Sequence, residues 1–225
     1  MLRVWKASGE ELVAIPAEEV NDVQRLKFHL RKVKGLPICL QKLIQDGRVL
    51  SDADELSSSG DVQLILLSCG EGSGIQEELL EAAAAGEAEV LRFLLQAAAD
   101  PDAGPQRATA LSKASSNGHD GAVRVLLEAR ANVNCASESH GTAIIGASLN
   151  GHVEVVRSLL DAGADVSLSV IGLPDSDVDV SVLRGFTALI AASSNGHVEV
   201  VRLLVEARAD VQDIDLAGDT ALTVA

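Results

Sequence analysis

The sequence predicts a multidomain chain: an α+β domain over residues 1–68, then an all-α solenoid with β-hairpin connections over residues 75–225. Three observations carry this prediction. The tripeptide Asn-Gly-His occurs at 117–119, 150–152 and 195–197, each time between a Thr-Ala pair and a stretch rich in leucine and valine. Thr109 to Thr142 and Thr187 to Thr220 are both 33 residues, room for one helix pair and a connecting hairpin, so the units stack in series. Residues 1–68 carry no such repeat and alternate strand-like runs around one amphipathic segment.

Taken in order, Leu2–Trp5 and Leu12–Ile15 bracket the Ser8-Gly9-Glu10 turn, which is a hairpin signal. With Leu2 and Val4 facing inward, Trp5 turns outward on the sheet as a candidate anchor. The alternative register buries it, partly covered near the linker. Val23, Leu26, Phe28, Leu30 and Val33 outline a helix within Val20–Val33, ended by Gly35 with Pro37 just beyond. Residues 35–56, with a Lys-Leu-Ile core and an Asp-Gly turn, and the alternating strand from Asp61 to Ser68 resemble the second half of the ubiquitin fold. The resemblance implies a β-grasp, ubiquitin-like domain. Its binding face would centre on Ile44 and Ile65, with Lys42 and Arg48 on the rim, and would dock on ubiquitin-receptor proteins. The chain continues past Ser68 without a free Gly-Gly end, so a conjugation tag is not expected. Residues 69–74, Cys-Gly-Glu-Gly-Ser-Gly, have the composition of a flexible tether.

The second part has three full units, from Thr109, Thr142 and Thr187 to Val133, Val166 and Val211. In each, Thr is placed to cap a first helix and small Ala and Ser allow close packing. Gly118, Gly151 and Gly196 are expected in the left-handed conformation that stops that helix. Val155, Val156, Leu159 and Leu160 in one unit, and Val200, Val201, Leu203 and Leu204 in another, form the apolar stripe of a second helix.

These units resemble ankyrin repeats very closely. Aligned on them, repeats start near 104, 137 and 182. Residues 75–102 form a degenerate capping repeat with Glu87 at the histidine place, and 215–225 open an interrupted one, as expected of a truncated reading frame or domain piece. Thr187 stands 21 positions after Val166 where the step is 9 elsewhere, a 12-residue insertion within 167–183. Leu168 and Val170 on one side and Val178, Val180 and Val182 on the other flank a Gly-Leu-Pro-Asp-Ser-Asp turn there, which predicts a β-finger. The resemblance implies that a partner protein binds the concave face through hairpin tips and first-helix ends, here Glu138, Ser139, Leu149, Asn150, Arg184, Phe186, Ser194, Leu216 and Asp219. Phe186 beside Arg184 has the composition of a binding hot spot, and packing inside the finger is its alternative.

Composition narrows function. With 47% hydrophobic but 2% aromatic residues, the core is built from Ala, Leu and Val, and neither an aromatic-lined pocket nor base stacking is provided for. The formal charge is -15; residues 1–68 hold 9 basic and 10 acidic side chains, the rest 9 and 23. That field repels nucleic acid and anionic lipid and favours basic segments of other proteins. Three scattered cysteines suggest neither a disulfide framework nor a zinc site. With no secretory leader and no stretch of about 18 apolar residues, a soluble, cytoplasmic protein is expected, in an intracellular compartment that includes the nucleus.

Chemistry is not expected. His119, His152 and His197 recur one repeat apart, too far to share an ion, and are expected to hold the turn into the second helix by bonding backbone. Asp175, Asp177 and Asp179 open like a calcium loop, but Val180 replaces its glycine and Phe186 its closing Glu. Glu10-Glu11, Glu18-Glu19 and Glu77-Glu78 sit at strand or helix starts, where solvation and the helix dipole explain them. No nucleophile elbow, phosphate loop or HExxH segment is present, so no catalytic residue, cofactor or metal is expected. The expected function is that of a non-enzymatic scaffold. Two alternatives are an adaptor in ubiquitin and proteasome signalling and the targeting arm of a longer enzyme.

Overall fold

The computed structural model of the chain describes residues 1–16, 19–56, 60–66, 74–104, 109–136, 141–169, 185–215 and 217–225. The β-finger beyond Ser169, the Asp175–Asp179 run, most of the 69–74 tether, Glu138, Ser139, Arg184 and Leu216 lie outside the described residues. By contacts the chain divides into one unit made of Met1–Glu78 and Arg92–Ala99, and another made of Leu79–Leu91 and Asp100–Ala225.

In the first unit, β1 (Leu2–Lys6) and β2 (Glu11–Ile15) form the expected antiparallel hairpin. Helix α1 (Val23–Lys34) starts where the Asp22 carboxylate accepts the Arg25 N–H at 2.7 Å and stops at Gly35, whose φ of 66° no β-carbon opposes. A 3₁₀ turn (Ile38–Leu40) leads into β3 (Gln41–Gln45), β4 (Arg48–Val49) and β5 (Gly60–Leu66). The strands lie in the order β2-β1-β5-β3-β4, with β5 parallel to β1 and antiparallel to β3, a mixed sheet consistent with a β-grasp-like region. Alternation puts Leu2, Val4, Leu43, Val62 and Leu64 against Val23, Leu26 and Leu30 of α1. Phe28 and Val33 depart from the expected stripe: they are 53% and 51% exposed, because the sheet covers only the narrow row 23, 26, 30.

A second departure concerns Glu78. Expected to be solvated, it is 6% exposed. Its carboxylate accepts the N–H groups of Ile38 and Cys39 at 2.6 and 2.7 Å and meets the Arg31 guanidinium at 3.2 Å. The acid therefore satisfies the otherwise unpaired donors at the start of the 3₁₀ turn. Burial, and secondly the hydrogen bond to Glu78, push the Cys39 thiol up to about 12.

Two helices, α2 (Ile75–Ala85) and α3 (Ala88–Gln96), contribute residues to both units. The second unit continues with three pairs: α4 (Ala110–Ser116) and α5 (Asp120–Glu128), α6 (Ala143–Leu149) and α7 (Val153–Asp161), α8 (Ala188–Ser194) and α9 (Val198–Glu206). They stack in series, α4 on α6 on α8 and α5 on α7 on α9. The second helices bury Val123 and Leu126, Val155, Val156 and Leu159, and Val200 and Leu204, while Leu160 and Val201 are half-buried. Thr109 and Thr187 cap as expected, their hydroxyls accepting the N–H of Ser112 at 3.2 Å and Ile190 at 3.4 Å. Thr142 does not: it has no side-chain cap bond, and its Oγ1 is buried without a partner. Thr220 pairs with Ile214, and residues 221–223 form a turn.

Candidate partner-binding surface

Each first helix is seven residues long and ends on Asn, after which Gly118, Gly151 or Gly196 takes a φ of 77°, 72° or 70°. That reversal aims the following histidine back at the preceding pair. Nε2 of His119 lies 3.0 Å from the Ala84 carbonyl, that of His152 3.1 Å from Ser116, and that of His197 3.1 Å from Leu149. A carbonyl only accepts, so each ring carries its proton on Nε2. The bond thus ties successive repeats together, a longer reach than the turn within one unit. The rings also lie on glycine: a β-carbon on Gly86, Gly118 or Gly151 would come within 2.7 Å of His119, His152 or His197. Hairpins are joined in the same serial way, Asp102 accepting the Asn132 N–H and Asn134 accepting the Asp165 N–H, both at 2.8 Å.

This ladder brings first-helix ends side by side. Leu149 and Asn150 end α6, Ser194 ends α8, and all three are exposed. Leu149 is 37% exposed. The Ser194 hydroxyl donates to Ala191 O at 3.1 Å and the Asn150 amide to Gly146 O at 3.0 Å, so polar atoms of this row are held in place. Phe186, just before the cap Thr187, is half-buried. Asp219, also half-buried, is fixed in a turn where its N–H donates to Asp215 Oδ1 at 2.9 Å. Lys113 was missed by sequence reasoning. It is exposed on α4 at the place held by Gly146 and Ala191 in the next two units, and counting four residues on from each Thr would have found it.

On the sheet of the first unit, Lys42 pairs with Ile65, and Ile44 with Val49 and Gln63, so these side chains share one face. Trp5 pairs with Gln63 and lies on the same face, half-buried, its Nε1 shielded and without a partner. Arg48 pairs instead with buried Gln45, one residue out of step with Ile44. Its guanidinium reaches Asp54 at 3.3 Å beside an open cavity of about 550 Å³ lined also by Gln45, Asp46, Leu50 and Glu55. The Ser51 N–H, at 2.8 Å, is the main cause that holds the Asp54 carboxyl below its usual range.

Among the described residues no three His, Cys, Asp or Glu side chains are grouped to hold a metal ion. No described helix is long and apolar enough to cross a membrane. Two family models match the chain: ankyrin repeats in three copies over residues 79–170, and ankyrin repeats in many copies over residues 146–205. Together they span more than half of its 225 residues. No curated protein matches the chain.

Proposed function

Because the chain belongs to the ankyrin-repeat family, whose repeats are in general non-enzymatic protein interaction modules, we propose that it is a scaffold holding a partner protein on its row of first-helix ends and hairpin tips. The observation that carries this reading is the exposed row of Leu149, Asn150 and Ser194 on helices locked in series by the histidine bonds. An apolar group amid tethered polar ones, on rigid short helices, is the composition of a contact surface. Glu138, Ser139, Arg184, Phe186, Leu216 and Asp219 complete the proposed surface. The excess of acidic residues after Ser68 favours a partner segment that is basic.

Affinity capture with the full chain tests this. Leu149→Arg combined with Ser194→Arg should lower capture of the partner about tenfold or more while circular dichroism stays unchanged, and rising salt should weaken capture by the parent. An identical set of captured proteins at equal yield counts against the surface.

A second reading, an adaptor in ubiquitin signalling, is favoured by one observation: Lys42, Ile44 and Ile65 share a sheet face on which Val49 is 50% exposed. Retention on immobilised ubiquitin-receptor proteins should then fall with Ile44→Ala. Unchanged retention removes this reading.

A further inference from the structure

The Asn-Gly pairs do more than stop a helix. In an open chain the nitrogen of a glycine following asparagine attacks the side-chain Cγ. The N–Cγ bond forms, the Cγ–Nδ2 bond breaks, and the proton given up by the glycine nitrogen is balanced, through solvent, by one taken up on the departing nitrogen, which leaves as ammonia. Water then opens the resulting imide at either carbonyl to aspartate or isoaspartate. Nothing but water is consumed.

All three pairs are held away from this reaction here. The Gly118, Gly151 and Gly196 N–H groups donate to Ser115, Ser148 and Ser193 carbonyls at 3.2, 3.3 and 3.0 Å. The asparagines have ψ of -2°, 2° and 4°, which keeps the glycine nitrogen out of the plane where Cγ must meet it. The side-chain amides are tied as well, Asn117 to Ala84 O at 2.8 Å, Asn150 to Gly146 O and Asn195 to Ala191 O at 3.0 Å. Cover differs between them. Gly118 lies under the His152 ring and Gly151 under that of His197, whereas a β-carbon on Gly196 would meet nothing within 4 Å.

We propose that Asn117, Asn150 and Asn195 are spontaneous deamidation sites gated by the fold, silent while a repeat is stacked and reactive when it opens, with Asn195 the fastest. The product makes opening irreversible. Each asparagine is the C-cap of a first helix, where a new carboxylate faces the negative end of the dipole and carbonyls that the amide had served as donor. Isoaspartate also lengthens the backbone just before the glycine that aims the histidine.

Peptide mapping by mass spectrometry, on the full chain aged in mildly alkaline buffer with and without guanidinium, tests this. All three sites should react about tenfold or more slowly in the native protein, as reaction limited to rare openings requires, and Asn195 should lead. Equal native and denatured rates, or Asn195 no faster than the other two, overturn the proposal. His197→Ala uncovers Gly151 alone, so the native rate should rise at Asn150 and stay unchanged at Asn117. No rise at Asn150, or an equal rise at all three sites, overturns gating by local cover.

Discussion

In the repeat unit one bond is made three times, imidazole Nε2 to carbonyl at 3.0, 3.1 and 3.1 Å. In the first unit one carboxylate, Glu78, serves two backbone N–H groups and a guanidinium. Serial repetition spreads stability over equivalent interfaces, each answerable only to its neighbours. The other arrangement concentrates it in a single buried charge that serves three groups at once. Loss of one rung should therefore be local and modest, and loss of the carboxylate severe.

The widest contrast should come from Glu78→Ala. It strands two N–H groups and takes a buried carboxylate away from Arg31, and should destabilise the first unit by about 3–5 kcal/mol, read as a lowered first transition in chemical denaturation. Glu78→Gln, which keeps shape and one acceptor, should cost less. Next, His152→Ala and His119→Ala should each cost about 1–2 kcal/mol, with equal losses marking the rungs as equivalent. A markedly unequal pair would break the serial picture. Smaller again, Thr109→Ala should lose about 1 kcal/mol, whereas Thr142→Val should be neutral or slightly stabilising because the hydroxyl it removes is buried without a partner.

At neutral pH the least effect on stability, though a clear one on reactivity, belongs to Cys39. With the folded thiol raised from its ordinary value of 9.0 to about 12, alkylation at neutral pH should run more than about tenfold slower in native than in unfolded protein. Since the folded value is the higher, the protonated thiol's contribution to stability is whole below pH 9.0 and is lost as pH rises through about 12. Denaturant melts across that alkaline range should show the first unit weakening.

The repeats were legible because their signals are local and reiterated. Gly118, Gly151 and Gly196 announce left-handed stops by identity alone, and the Thr-Ala pairs mark helix starts to the residue. Thr142 looked like its two counterparts, and only the packed structure reveals an unbonded hydroxyl, since a cap bond depends on tenths of an ångström that no spacing encodes. Glu78 was misread for a related reason. Its partners stand 39, 40 and 47 positions away, and a pair of acids at a helix start has an adequate local explanation that hides a distant one. Phe28 and Val33 fitted the helical period, yet period says which side is apolar and not how wide a sheet will cover it. Lys113 was within reach of simple alignment, while the half-buried state of Phe186 and Asp219 was not.

The central position of β5 between β1 and β3 sets the order of events during synthesis. The β1–β2 hairpin leaves the ribosome before its parallel neighbour Gly60–Leu66, and the 3₁₀ turn lacks its acid until Glu78 follows. Closing such a long loop is slow, whereas every later helix pair needs only the pair made just before it. Residues 1–56 are consequently dependent on what is translated after them, and in a nascent chain arrested before residue 60 they should remain protease-sensitive.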